Sequence, residues 1–189
     1  DVCSSDLSLT NSRESFGWVS ITLHWLMAIA LIAMYFLGDW MVGLEYYDSW
    51  YHKAPSLHKE IGVVLGALMI VRLLWNSLQA KPVALGEHKP IVNRLARSAH
   101  VGLYVLVIFL VVSGYLISTS KGQGIDVFGL FEVPAVLPDS AERGELAGDL
   151  HKLAGTAFIL IVLAHALAAL VHHFFFKDRT LLRMLKVEK

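Results

Sequence analysis

The chain has 189 residues, 56% of them hydrophobic, and its 16 basic and 16 acidic side chains give a formal net charge of zero. With a mean hydropathy of +0.57, this composition excludes an ordinary soluble domain and predicts a small integral membrane protein with the lipid bilayer as its main partner. We expect no nucleic-acid partner. The single cysteine, Cys3, excludes an internal disulfide and a cysteine-ligated iron–sulfur cluster.

The chain opens with an N-terminal arm, residues 1–15, whose first part differs from everything that follows. We expect Asp1–Leu7 to be a non-native remnant of a translated sequencing adapter, outside the folded protein. The predicted domain covers residues 16–184, and a short tail, residues 185–189, follows it.

Four apolar stretches within this domain reach the roughly 17–25 residues needed to cross a bilayer. They are Val19–Trp40, Leu57–Leu78, Ser98–Ser118 and His151–Phe175. Because lipid-exposed backbone must satisfy its own hydrogen bonds, each stretch is predicted to be a helix. Their short to moderate connections predict an all-α, up-down-up-down bundle of four transmembrane helices.

The distribution of basic residues predicts the orientation of the bundle. The N-terminal arm, the connection between the second and third spans with its flanks, and the C-terminal tail carry eleven of the 16 Lys and Arg residues. By the positive-inside rule, both termini are predicted to be cytoplasmic. An aromatic cluster typical of a membrane interface follows the first span: Trp40, Tyr46, Tyr47, Trp50 and Tyr51.

The long connection from Thr119 to Asp149 is predicted to lie on the opposite, outer side. Its amphiphilic, turn-rich run from Gly124 to Pro134 indicates a functional cap rather than a tether. We expect Gly144 to Gly148 to be loop and Asp149 or a neighbour to cap the fourth helix.

The last span contains two histidines, His151 and His165, which stand 14 residues apart. This spacing is close to four helical turns, so both lie on one face about 21 Å apart along the axis. Imidazoles inside a membrane span usually mark a function. The same offset joins residues in the other spans: His24 and Gly38, His58 and Arg72, and His100 and Gly114.

Alternating helix directions sort these residues into two planes, of which the outer contains His58, His151, Gly38 and Gly114. Glycine allows a large flat group to lie close to the backbone, and Gly62 and Gly155 follow the two histidines by one turn. Two opposed imidazoles between glycine-lined walls suit a bis-histidine haem b. A bare metal ion would need three or four ligands, usually including carboxylates.

The inner plane contains Arg72 and three histidines for two axial positions. His24 and His165 lie one to one-and-a-half turns inside their spans, so we predict them as ligands of a second haem. His100 is nearer the start of its helix and is expected to donate to a propionate or a quinone, although the pair His24–His100 stays open. His172, seven residues beyond His165, could face the bundle, but we expect it at a solvated helix end.

Haem propionates carry negative charge into a region of low dielectric and therefore need basic partners. Arg72, inside an apolar run, is predicted to serve the inner haem, with Arg97 as a second candidate. Lys59 and Lys152, each directly after an outer histidine, are predicted to serve the outer haem. The alternative is that both lysines only flank the spans.

Several strings of residues resemble those of bacterial cytochrome b561, and more closely its YceJ-type branch. They are YYDSWYHKAP at 46–55, LHK at 57–59, SGYLIST at 113–119 and the tail that begins HHF at 172–174. The resemblance runs from about Phe16 to Met184. The chain is similar, more distantly, to the di-haem b subunits of formate dehydrogenases and nickel–iron hydrogenases.

This resemblance implies a protein of the bacterial inner membrane with two b haems per chain, ligated by His24 with His165 and by His58 with His151. Such a protein relays electrons between a periplasmic redox partner and the quinone pool, with ubiquinone as one candidate quinone. For the YceJ-type branch, the resemblance also implies a periplasmic lipocalin-like, isoprenoid-binding partner, for which the connection 119–149 is the expected docking site.

Two other functions stay open at this point. A superoxide:quinone oxidoreductase would need an electropositive path to the outer haem, for which the candidates are Lys53, Lys59, Lys121 and Lys152. A cytochrome b subunit would instead anchor a larger redox complex in the membrane. Gly62 and Gly66 form a GxxxG pattern, which indicates a helix contact or a homodimer.

Overall fold

The computed structural model describes residues 8–83 and 90–187, so Asp1–Leu7, including Cys3, lies outside the described residues. Within that part, the four predicted helices are confirmed, and each is long and apolar enough to cross a membrane. The elements are α1 (Trp18–Met41), α2 (Lys53–Leu78), α3 (Pro90–Ser118), β1 (Ile125–Val127), β2 (Phe131–Val133), α4 (Ala141–Phe174) and a short 3₁₀ helix (Leu182–Met184).

The helices form a bundle in which consecutive neighbours pack together. Helix α1 packs along α2 and α2 along α3, the contact between α3 and α4 is the most extensive, and α4 touches α1 more lightly. The two connections α1–α2 and α3–α4 lie at one end of the bundle, called the hairpin end below. Residues 8–17 before α1, residues 79–83 after α2 and residues 175–187 after α4 lie at the other, called the terminal end.

The centre of the bundle is an apolar cluster to which each helix contributes one buried side chain, namely Met27, Met69, Val107 and Phe158. In each helix, the cluster residue lies in sequence between the residue assigned to the outer plane and the residue assigned to the inner plane. The outward faces carry large exposed apolar side chains, including Ile29, Phe36 and Leu160. Such a surface suits lipid contact, since only a small share of each span is buried within the protein.

Helix α4 begins ten residues earlier than predicted, which makes two predictions wrong. Ser140, not Asp149, is its N-cap, and the Ser140 hydroxyl accepts a hydrogen bond from the backbone N–H of Arg143 at 3.2 Å. The segment Gly144 to Gly148 is therefore helical rather than loop. A Cβ at Gly144 would lie 2.7 Å from Cβ of Ser120, so glycine allows the first turn of α4 to approach the residues after α3.

The α3–α4 connection folds into a two-stranded hairpin, a structure that the sequence reasoning did not specify. Strands β1 and β2 pair antiparallel, and β1 packs against α2. Phe128 and Gly129 connect them with φ angles of 53° and 68°, as in a type I′ turn. Ile125 and Val127 are buried, whereas Phe128, Leu130 and Phe131 are exposed.

The N-terminal arm and the segment after α4 are both hydrogen-bonded to the terminal end of the bundle. The Gln79 side chain accepts from the backbone N–H of Asn11 at 3.0 Å, and the Trp25 indole donates to the carbonyl of Met184 at 2.6 Å. The expectation that His172 is solvated is wrong. Its Nδ1 lies 2.6 Å from Oδ2 of Asp178, and both side chains are largely buried.

Candidate functional site

At the hairpin end, His58 of α2 faces His151 of α4. Their ring centroids lie 6.2 Å apart, with the ring planes inclined by 74°. Gly38 and Gly114 lie beside them: a Cβ would approach Cε1 of His58 within 3.1 Å at Gly38 and Cε1 of His151 within 3.3 Å at Gly114. The two glycines therefore leave the space that the two imidazoles occupy.

The polar surroundings of these two rings differ. Nδ1 of His151 lies 2.9 Å from the hydroxyl of Ser113 on α3. Nδ1 of His58 is buried and has no hydrogen-bond partner among the described residues. A buried imidazole nitrogen without a partner is costly, which indicates that this pair is completed by a group that the chain itself does not supply.

At the terminal end, three histidines meet. The ring centroids of His24 and His165 lie 6.4 Å apart, and those of His100 and His165 lie 5.1 Å apart. His24 and His165 are half-buried, whereas His100 is exposed on the surface of the bundle. The structure thus brings three imidazoles together, with the ring of His165 next to both of the others.

Arg72 connects this group to the rest of the bundle. Its guanidinium lies 3.0 Å from Nδ1 of His24, and it donates to the carbonyl of Leu23 at 3.1 Å and to the hydroxyl of Tyr104 at 3.2 Å. Asn76 also donates to Tyr104, at 2.9 Å. A half-buried cation with these partners is held at the inner pair rather than extended towards the membrane surface.

The remaining predicted site residues are three basic side chains and two glycines. Lys59, Lys152 and Arg97 are exposed. A Cβ at Gly62 would be in ordinary contact with Met34, and one at Gly155 with Tyr35. Neither glycine borders a histidine in this structure.

Gly66, the second glycine of the GxxxG pattern, packs inside the bundle. A Cβ there would lie 2.9 Å from Cγ1 of Val111, so Gly66 allows α2 and α3 to approach each other. The pattern therefore serves a helix contact within one chain.

Three polar residues of the site were missed by the sequence reasoning, which treated Tyr104 as packing and did not consider Ser113 or Asn76. Each had a detectable signal. Tyr104 follows His100 by one helical turn, Asn76 follows Arg72 by one turn, and Ser113 is a hydroxyl directly beside Gly114 in an apolar span.

The chemistry of the two pairs can be stated from their ligand atoms. Among the described residues, no group of three or more His, Cys, Asp and Glu side chains could hold a metal ion. Each pair instead offers two imidazoles that face each other, as the two axial ligands of one metal would. The glycines at 38 and 114 and the unpartnered nitrogen of His58 fit a flat group held between the rings.

Comparison with known proteins gives one family and several curated relatives. The family model described as prokaryotic cytochrome b561 matches residues 15–186. Cytochrome b561 homolog 2 of Escherichia coli (strain K12) is 45% identical over 179 residues, which cover 95% of each protein. A probable superoxide oxidase, CybB, of Yersinia pestis is 28% identical, with 92% of this chain and 97% of the relative covered. Cytochrome b561 homolog 1 of Escherichia coli (strain K12) is 29% identical, with 92% and 98% covered.

Proposed function

This chain belongs to the prokaryotic cytochrome b561 family, and we propose that it is a di-haem b protein that relays electrons between a periplasmic redox partner and the quinone pool. The family and the four apolar helices identify a haem-binding electron-transfer protein of a bacterial inner membrane. The proposal adds two haems per chain, their ligands and the two ends of the electron path.

The observation that carries the proposal is the spacing of the two histidine pairs. A metal between two imidazole nitrogens, each about 2 Å away, places the ring centres about 6 Å apart. The centroid distances of 6.2 Å for His58–His151 and 6.4 Å for His24–His165 match this geometry. The His100–His165 distance of 5.1 Å is too short for it. This comparison supports His24, rather than His100, as the ligand opposite His165.

Two such centres, about 21 Å apart along the helices, would connect the two sides of a membrane. Haem supplies reversible one-electron chemistry. The chain's own residues hold each centre at a fixed depth, and the buried cluster formed by Met27, Met69, Val107 and Phe158 excludes water between the two depths. Arg72 is the basic side chain best placed to neutralise a propionate of the inner haem.

The exposed position of His100 supports the terminal end as the site where quinone reacts. A quinone in the bilayer must reach the bundle from its side, and His100 is open to that side while its ring touches His165. The imidazole of His100 can donate to a quinone oxygen or accept from a quinol hydroxyl.

A superoxide:quinone oxidoreductase is the second candidate, since one relative is named a probable superoxide oxidase. The charge of the hairpin end argues against it. Residues 39–60 and 119–152 carry ten acidic and five basic side chains, a formal net charge of −5. A surface of that sign repels an anion instead of steering it inward, so we propose a protein or other non-anionic partner at this end.

The orientation and partners of the chain belong to the same proposal. Basic residues dominate the terminal end, which supports cytoplasmic termini. The β1–β2 hairpin is then periplasmic, and its exposed Phe128, Leu130 and Phe131 offer a surface on which the lipocalin-like partner or a larger redox complex could dock. The internal packing of Gly66 removes the observation that favoured a homodimer.

The experiment that tests the proposal is haem quantitation on the purified chain, with reduced-minus-oxidised spectra of the wild type and of single His→Ala variants. We expect b-type spectra and two haems per chain. His58→Ala and His151→Ala should each remove one haem, and His24→Ala and His165→Ala the other. A chain that binds no haem would contradict the proposal.

A further inference from the structure

The hydroxyl of Ser113 has more neighbours than it can donate to. It lies 2.7 Å from the carbonyl oxygen of Phe109, 3.2 Å from that of Leu110 and 2.9 Å from Nδ1 of His151. The side chain is 3% exposed, so water does not share these contacts. How its single proton is used decides the state of His151.

The carbonyl oxygens can only accept hydrogen bonds, whereas a serine hydroxyl has one proton to donate and lone pairs that accept. The contact with Phe109 is the shortest of the three, so the Ser113 proton lies there. The hydroxyl oxygen must then accept from His151, which also hydrogen-bonds the backbone of Leu110. These two acceptors place a proton on Nδ1 of that ring. In a neutral imidazole, the lone pair is then on Nε2, the nitrogen free to bind a metal.

The inner pair has the opposite arrangement. Arg72 can only donate, so the contact at 3.0 Å makes Nδ1 of His24 the acceptor. A neutral His24 then carries its proton on Nε2, where the metal would bind. The structure therefore leaves Nε2 of His151 free to bind a metal, whereas Nε2 of His24 carries a proton.

We propose that Ser113 is a positioning residue that fixes His151 in the tautomer that ligates the outer haem, so that this ring of the outer pair is preset whereas His24 of the inner pair is not. This inference rests on the proposed function, since it assumes haem at both pairs. Ser113 acts through His151 and does not itself touch the cofactor. Partners of this kind typically contribute about 10–100-fold to metal affinity.

The test uses variants that each keep one centre. His24→Ala retains the outer pair and His58→Ala retains the inner pair. Each is purified from haem-limited cells and titrated with haemin, alone and combined with Ser113→Ala. Ser118→Ala is the matched control, because the hydroxyl of Ser118 makes the same i−4 bond on α3, to Gly114 at 2.8 Å.

We expect Ser113→Ala to weaken haemin binding at least tenfold in the His24→Ala background and to leave binding in the His58→Ala background unchanged. Ser118→Ala should change neither. Ser113→Thr, which keeps the hydroxyl, should restore binding. The midpoint potential of the outer haem should rise in Ser113→Ala, because the Nδ1–H that loses the Ser113 hydroxyl keeps only the Leu110 carbonyl and leaves a less electron-rich ligand.

The possible outcomes separate this inference from the proposed function. If neither single-centre variant binds haemin, the di-haem proposal fails. If both variants bind one equivalent but Ser113→Ala shifts neither the affinity nor the potential, the role of Ser113 is overturned while the di-haem proposal stands. An equal loss of haemin affinity in Ser118→Ala, or with Ser113→Ala in the His58→Ala background, would also overturn the role of Ser113. It would show that the substitutions act generally on α3.

Discussion

The guanidinium of Arg72 lies 3.0 Å from Nδ1 of His24, which joins α2 to α1 inside the membrane span. Burying part of an arginine is costly unless its donors are used, and the half-buried Arg72 also donates to Tyr104 and Leu23. Since a guanidinium has five donors and no acceptor, donors are left over for an anionic group. Arg72 therefore combines a structural role with the capacity to hold a propionate.

Replacing Arg72 by leucine should affect both stability and redox potential. The loss of hydrogen bonds to a charged group should lower the free energy of unfolding by about 1–3 kcal/mol. The potential of the inner haem should fall, because a nearby positive charge favours the reduced form. Thermal unfolding in detergent and a redox titration would measure the two effects.

Arg97→Leu is the control for that experiment, since Arg97 is exposed and is the other candidate partner of the inner propionate. We expect it to leave both quantities close to those of the wild type. A drop in the inner potential in Arg97→Leu, with none in Arg72→Leu, would reassign the propionate partner.

Alanine at Gly38 or Gly114 should disturb the outer centre selectively. A new Cβ would press on His58 or His151 at 3.1 and 3.3 Å, and overpacking of this kind typically costs about 1–3 kcal/mol. We expect each variant to lose outer haem while the inner haem is retained, as measured by haem content and the reduced spectrum.

Gly102→Ala is the matched control for the two glycine variants, because no atom outside its own helix turn lies within 4 Å of the position its Cβ would take. Gly102 lies in α3, as Gly114 does, so the control tests whether any alanine in this helix reduces haem content. A normal haem content in Gly114→Ala would show that haem binding does not need the close approach of position 114 to His151.

The segment that follows α4 should make stability depend on pH under acid conditions. Burial acts to raise the pKa of Asp178, but hydrogen bonds from His172 and Thr180 outweigh it and lower the pKa to about 2. A carboxylate with a depressed pKa stabilises the fold above its unfolded value near 3.8, and this contribution is lost as the pH falls towards 2.

Asp178→Asn should therefore melt at a lower temperature than the wild type at pH 5, and the difference should shrink as the pH falls from about 4 to about 2. Asp149→Asn, at an exposed carboxylate of α4, is the control. A difference between Asp178→Asn and wild type that stays constant over this range would exclude the carboxylate as its source.

The charge of the hairpin end predicts which soluble reagents exchange electrons with the outer haem. With a formal net charge of −5 over residues 39–60 and 119–152, a cationic mediator should react about tenfold faster than an anionic one of similar potential at low ionic strength. The preference should fade as salt shortens the Debye length to about 10 Å at 0.1 M. Stopped-flow measurements of haem reduction give both the ratio of the two rates and its dependence on salt. A faster reaction with the anionic mediator would revive the superoxide alternative.

The bundle and its histidine pairs could be predicted because the sequence contains two strong periodic signals. Membrane-length apolar runs define the four helices, and the offset of 14 residues brings His58 to His151 and His24 to His165. Both signals depend only on helix geometry, so tertiary packing did not alter them.

What could not be predicted depends on local packing. The start of α4 was misplaced because Gly144 and Gly148 resemble a loop, while the cap of Ser140 and the contact of Gly144 with Ser120 stabilise a helix there. The roles of Ser113 and Tyr104 follow from which side chain faces which ring. Helix periodicity fixes which residues share a face, but it does not fix which side chains meet across two helices.

The central claim, two haems held by two histidine pairs, is tested most directly by counting haem in purified wild type, His165→Ala and His100→Ala. We predict two b haems in the wild type, one in His165→Ala and two in His100→Ala. A colourless wild-type chain, a chain with a single haem, or loss of the inner haem in His100→Ala but not in His165→Ala would contradict the account.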